Sequence, residues 1–511
     1  MTWKPRGWAF LPLAFAVALS ALLIACWGGV ERRILVVGVN QRPLTLDPHH
    51  HNDSVTWAVL CNFYEGLVSF SADMKIEPSL AESWENVDPT HWRFHLRHDV
   101  RFHRGELFRA ADVVASFERA RTDPHSAIRH HLLGVTRMTA IDDLTVMVET
   151  DGPSPTLVNR LVFLPVVPSS DAKLPEITEP NGTGPYRVVR HDNPDWLLAR
   201  AWPGWRGLPD IREVKFIFDI DNHQLFRRFL EGEIDLMRQL PEDQLGELRA
   251  FPHVRAEPQP RLAVHMFSIS VPEGDSTAAR ALADVRVRRA ILLGCDRQRL
   301  VGEVYRGTAE VASQCVHPAV FGYDPTVVVA PYDPREARAL LSQAGFPNGF
   351  DVTINHSPAQ AVMIPAIIED LGKIGIRVTA HEVQWDQLQD RMREGRTEIA
   401  PFGWACSTGD AGDFLTSCVH SLSPALGLGR DNYAHFHDAR VDSLIEQAER
   451  ELDGGKRLLL LQAAQRRTLE MLPYLPLLER VLFLGASDRV DVVRRHDQWQ
   501  WVAAYRWRAS K

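Results

Sequence analysis

From His91 to Arg97 the side chains alternate, with Trp92, Phe94 and Leu96 on one face and His91, Arg93, His95 and Arg97 on the other. A period of two is the mark of a strand buried on one side only. Beyond the turn at Gly105 the period changes, and Ala111 to Ala120 brings Val113, Val114 and Phe117 together at helical spacing. A chain that switches period this quickly packs helices against a sheet, so the fold class is α/β. At 511 residues it also carries more apolar material than one core uses, the usual domain being about 150 residues. Two or three lobes are therefore expected.

The same logic recurs along the chain. Ile34 to Val39 is a short apolar run ending in Asn40 and Pro43, a buried strand and its turn. Ser54 opens a helix with Val55, Ala58, Val59 and Phe63 inward and Gly66 as its stop. Asp333-Pro334-Arg335-Glu336 combines a capping aspartate, a proline at the first helical position and a glutamate placed to reach back; Gly345 closes that helix. A further helix ends near Leu371 to Gly375 and leads into a strand at Ile376 to Ala380, and two more helices span Asp438 to Leu452 and Lys456 to Met471. Pro473 and Pro476 then break the pattern before a returning strand at Val481 to Leu484.

Lys4 and Arg6 precede an uncharged stretch from Trp8 to Ala25, after which Glu31, Arg32 and Arg33 turn the composition polar, the pattern of a secretory leader over residues 1–25. The same stretch is long enough to stay as an uncleaved anchor. Leu23-Ile24-Ala25-Cys26 resembles the bacterial lipobox, which implies cleavage before Cys26 and a diacylglycerol on its sulfur. Removing Lys4 and Arg6 takes the formal charge from -8 to -10, and no basic stripe points to nucleic acid. Of the six cysteines, Cys61, Cys295, Cys315, Cys406 and Cys418 then remain in an oxidising compartment. Cys61 lies in an apolar helical stretch and is expected to be a buried thiol. Cys406 with Cys418 is the first candidate disulfide and Cys295 with Cys315 the second, spacing alone leaving the connectivity open.

Motifs for catalysis are missing. There is no G-x-S-x-G elbow, no C-x-x-C and no P-loop, and His381-Glu382 is followed by Val383-Gln384-Trp385, so a zinc-protease helix is excluded. What the chain does carry is a series of segments: Leu80 to Ala120 above all, then Asn181 to Val189, Asp284 to Leu300, Phe321 to Pro325, Tyr332 to Phe350, and Phe402 to Phe414. In this order they resemble the family 5 solute-binding proteins of ABC importers, the dipeptide, oligopeptide and nickel binders. Trp92, Phe94 and Leu96 within the first segment are expected to be core, and Gly182 and Gly184 turn glycines at a lobe edge.

The resemblance implies a two-lobed periplasmic-binding-protein clamshell of the large type, with an extra subdomain in the first lobe. Residues 34–75, 172–265 and 474–511 would form the core of lobe I, 76–171 the extra subdomain, and 266–473 lobe II. It implies a monomer that is not an enzyme: a small-molecule or peptide ligand is held between the lobes and passed to ABC permease subunits, in the periplasm or on the outer face of the cytoplasmic membrane. No cofactor and no metal are expected. His49-His50-His51 falls where the family's first cleft-facing loop lies, and His50, His51 and Asn52 are candidate ligand contacts; adjacent histidines on one loop converge poorly on one ion. In dipeptide-binding relatives an aspartate shortly after the late Gly-Trp pair neutralises the ligand's amino terminus. Here Ser407 occupies that place, with Trp404 and Asp410 as the other candidates. A serine cannot supply the charge, so either Asp410 swings in or the ligand is a different solute, such as a nickel chelate, an opine or an oligosaccharide. A ligand-sensing module without transport would use the same clamshell.

Overall fold

The computed structural model describes residues 33–218, 221–271 and 275–509. The leader and Cys26 lie outside the described residues. Among those described, no helix is long and apolar enough to cross a membrane.

An 11-stranded sheet forms the spine. Its order runs Arg377–Glu382, Asp351–His356, Ile399–Ala405, Val254–Ile269, Tyr474–Ser487, Leu236–Met237, Ile34–Val39, Glu213–Phe218, Trp196–Ala201 and Tyr186–Asn193, with Ala309–Val311 attached beside Tyr474–Ser487. Ile34–Val39 is parallel to both its neighbours, and Asp351–His356 is parallel to Arg377–Glu382, so each half of the sheet contains crossover connections over its face. The two halves are the two lobes.

Among the described residues, two long strands run from one half into the other. Val254–Ile269 spans 16 residues and Tyr474–Ser487 spans 14, paired antiparallel. Their register holds from Val254 against Ser487 to Pro260 against Val481, breaks, and resumes at Val264 against Glu479. Arg261, Leu262 and Ala263 occupy the break, a bulge where the pair bends. A second shift, between His265 and Met266, accommodates Pro476, which has no N–H to give to a ladder. Pro476 therefore lies inside a strand that begins at Tyr474, earlier than the proline pattern suggested.

Each half has its own core. Leu35, Val37, Phe63, Tyr186 and Phe216 pack in the first lobe, and Phe267, Ile291, Ile354, Ile399 and Leu478 in the second. The alternating segment is the strand His91–Leu96, the second of a four-stranded antiparallel sheet covered by the helix Ala110–Thr122. Phe94, Phe117 and Val148 are fully buried there, each contributing about 1.5–3 kcal/mol. That subdomain core continues onto Met266, Phe402 and Tyr474 of the second lobe, and Asn159 Nδ2 donates across to the Thr408 carbonyl at 2.8 Å. Gly182 and Gly184 serve a different purpose from turn geometry. A Cβ at Gly182 would stand 2.0 Å from the Phe63 carbonyl oxygen, so these glycines let two backbones touch.

The expected disulfides are not formed: Cys61, Cys295, Cys315, Cys406 and Cys418 are all buried free thiols. Cys295 belongs to the second-lobe core and Cys315 to the subdomain-spanning one, which keeps that pair apart. Cys406 and Cys418 share a core, yet each packs there as a small apolar side chain, and burial raises both thiols well above their ordinary pKa.

Candidate ligand-binding site

A cavity of about 370 Å³ opens where the two lobes and the two crossing strands meet. The first lobe supplies Pro48, His51, Asn52, Asp53, Trp57, His130, His131 and Phe163; the crossing strand supplies Arg261 and Leu262; the second lobe supplies Ala405 and Ser407; the C-terminal segment closes it with His496 to Trp499.

The loop before the first helix is held rigid from below. Asp47 is buried and accepts from Arg119 Nη1 at 2.9 Å and from the N–H groups of His49 and Ile177 at 3.0 and 2.8 Å. Burial alone would raise its carboxyl, but these donors outweigh it and hold the pKa below the ordinary value. His49 donates from Nε2 to the Pro165 carbonyl at 2.8 Å and accepts from Arg119 at Nδ1, 3.0 Å away. Burial lowers its pKa to about 4, so it is a neutral structural strut. His50 is paired with Asp123 at 2.7 Å. Of the three histidines only His51 lines the cavity. It is 4% exposed, neither ring nitrogen has a hydrogen-bond partner, and burial lowers its pKa.

The helix starts at Ser54 as expected and runs to Leu60, capped by Asp53: its Oδ1 accepts from Val55 N at 3.1 Å and Thr56 N at 2.8 Å, while the buried Oδ2 accepts no hydrogen bond and faces His51 Nδ1 at 3.7 Å. Trp57, one turn on, has an unpartnered buried indole N–H and meets Trp499 edge to face at 5.5 Å. His131 stacks on Phe163 at 4.4 Å, and burial first, then His130, drives its pKa down to about 3. A second hollow of about 270 Å³ lies on the other side of Trp57 and Trp499, walled by Trp205, Trp501 and the Glu65 to Arg206 ion pair.

The second-lobe candidates divide. Ser407 is exposed and faces the cavity. Trp404 is half-buried against the subdomain-spanning core and does not line it. Asp410 does not swing in. It is 3% exposed, bonded twice to Arg457, at 2.9 Å for the Nη2 contact, and accepts from Gly412 N at 2.8 Å. Separating that pair would strand a buried guanidinium, so the carboxylate is committed to the lobe interior. Asp413 is half-buried, accepts from Thr408 N at 3.1 Å, and is pushed up to about 7 by desolvation. Among the described residues no group of three or more His, Cys, Asp or Glu is arranged to hold a metal ion.

Asp53, Trp57, His130, His131, Phe163, Arg261 and Trp499 are cavity residues that sequence reasoning missed. Only Asp53 had a local signal, as an aspartate one residue before a helix start.

A cavity walled from both lobes is a place where a solute can be held. The model of the bacterial extracellular solute-binding proteins, family 5 (middle region), matches residues 75–424. The chain belongs to that family. This family 5 protein is an extracytoplasmic solute-binding component of an ABC importer. The glutathione-binding protein GsiB of Escherichia coli (strain K12) is 28% identical over 492 residues, covering 92% of this chain and 93% of GsiB. HbpA2 from Haemophilus parasuis has the same fold, with a TM-score of 0.83 at 24% identity, covering 93% of this chain and all (100%) of HbpA2. The periplasmic binding protein DppA of Helicobacter pylori, solved in complex with the peptide STSA, superposes with a TM-score of 0.72 at 23% identity, covering 93% and 98% of the two chains.

Proposed function

We propose that this protein captures a short peptide of the glutathione type and hands it to the permease subunits of its importer, acting as a monomer held at the outer face of the membrane through a lipid on Cys26. The carrying observation is the cavity itself. Its volume of about 370 Å³ lies at the lower end of the 300–1,000 Å³ typical of small-molecule sites, suited to a few residues of peptide. Its walls come from both lobes, so a solute that bridges them favours the closed form, and that difference is what a permease can sense. Residues 34–75, 172–265 and 474–511 serve as the first lobe, the start of the last stretch, Tyr474 to Leu478, packing on the second-lobe side, with 76–171 as the extra subdomain and 266–473 as the second lobe. His51, Asn52 and Ser407 are ligand contacts. GsiB supplies the ligand class, being similar over nearly the whole chain.

Thermal unfolding of the purified protein with glutathione, di- and tripeptides, sugars and nickel chelates tests the reading. A true ligand at a hundred times its Kd adds about 2.7 kcal/mol of stability. Stabilisation by glutathione or another short peptide is the expected result; stabilisation by a sugar or a nickel chelate alone overturns it.

A further inference from the structure

The wall between the cavity and the second hollow is one aromatic layer thick. Trp57, Phe70 and Trp499 line both spaces. Trp499 meets Trp57 edge to face at 5.5 Å and leans on Phe70 and Phe163, with ring centres 6.3 and 6.5 Å away. Behind that wall lies the hollow of about 270 Å³, its other aromatic faces being Tyr64, Trp205 and Trp501. Protein interiors hold few voids larger than a water molecule, so a space of this size asks for an occupant. Water needs about two to four polar partners to be held in such a place. The polar groups here are engaged with one another instead. Glu65 Oε1 accepts from Ser79 Oγ and from Trp205 Nε1, each at 3.4 Å, and both carboxylate oxygens accept from Arg206. Arg495 donates to Asp497 and, at 2.8 Å, to the Phe70 carbonyl, and its guanidinium lies over the Trp499 ring. Apart from Ser69 and the exposed Glu77, the space is left to aromatic ring and aliphatic carbon. Spaces walled in that way take up apolar guests in preference to water.

The member of the wall placed to give way is Trp499. Trp57 is fixed in the helix Ser54–Leu60, whereas Trp499 is half-buried in a stretch, residues 492–501, that contains no helix or strand. The residue before it, Gln498, has a left-handed φ of 60°, a conformation that a residue with a side chain adopts at a cost. Resting on the peptide reading above, we propose that the hollow is a side-chain pocket of the solute site. Trp499 turns aside, a bulky apolar or aromatic group on a short peptide enters the space, and the peptide backbone stays in the cavity. The solute class is then a short peptide with one large apolar substituent, of which glutathione carrying a benzyl group on its sulfur is an example. The lining of the hollow comes from the first lobe and its extra subdomain, so the pocket enlarges the solute without asking the second lobe to stand further off.

Calorimetric titration of the whole protein decides it, with two pairs of probes: glutathione against S-benzylglutathione, and trialanine against alanyl-phenylalanyl-alanine. In whichever pair binds, the larger member is expected to bind at least about tenfold more tightly, since its ring leaves water for an apolar space. Val162 and Ser69 line the hollow and not the cavity. Val162→Phe places a ring in the hollow from outside the cavity; the smaller probe's affinity should stay within about threefold of the parent's while the preference for the larger one disappears. Should that variant fail to fold, Ser69→Phe, from a half-buried position on the same hollow, gives the same readout. Equal affinities within each pair that binds overturn this inference and leave peptide capture standing. A preference for the larger probe that survives filling of the hollow places the group elsewhere and overturns the inference as well. Binding of none of the four probes overturns both readings.

Discussion

The two walls of the cleft are built on opposite plans. The first-lobe wall presents His51, Asn52, Asp53, Trp57, His130, His131 and Phe163, most of them fixed by a helix cap, a ring stack or a buried ion pair beneath. The second-lobe wall presents Ala405 and Ser407, and turns its own acids, Asp410 and Asp413, inward. The difference teaches that the polar and aromatic lining is concentrated on one side and on the crossing strand, while the other side offers little to contact. Preorganised groups lose little entropy when a ligand arrives, so they are where affinity resides.

Four measurements can break or sharpen that contrast. The largest effect belongs to the covering lobe's interior: Arg457→Ala strands buried Asp410 and should cost about 3–5 kcal/mol of stability in urea unfolding. A loss below about 1 kcal/mol would mean the pair is not a structural device. Next comes pH on the recognition side. His49 has its pKa lowered from 6.5 to about 4 by burial, so its contribution is complete above pH 6.5 and is lost as pH falls from 6.5 through 4. That window is worth up to about 3 kcal/mol for this one group. His49→Gln, which can keep a donor for Pro165 and an acceptor for Arg119, should flatten the fall; an unchanged slope would place the acid sensitivity elsewhere. Trp57→Ala should weaken binding of whichever solute stabilises the protein by about 1–2 kcal/mol, read by calorimetry, since it removes a rigid aromatic face and an unpartnered N–H from the wall. The smallest effect is Ser407→Ala, expected to change affinity by less than about 0.5 kcal/mol. A larger loss there than at Trp57 would reverse the assignment of the two walls.

The elements were legible where a residue pattern is local. Alternation found the strand His91–Leu96, and Asp333 before Pro334 found the helix Pro334–Gln343, with Asp333 accepting from Arg335 N and Glu336 N. The predicted return bond from Glu336 is replaced, because the Asp333 N–H donates instead to the Leu293 carbonyl at 2.9 Å. The cleft was legible only in part, since its lining comes from positions as distant as Pro48 and Trp499, and nothing in a window of sequence records such a meeting. Residue type also misled. Asp410 and Asp413 look like exposed acids in a glycine-rich loop, and only the fold reveals that Arg457, almost fifty positions later, draws one of them inward.

The bulge at Arg261 to Ala263 bears on how the molecule can move. A single connecting chain would allow its two bodies to swivel freely, whereas a hydrogen-bonded pair interrupted at one level permits bending and resists torsion. Opening and shutting then follow one path, like a book on its spine. Because the same bulge brings Arg261 into the cavity wall, the spine itself is one edge of the page.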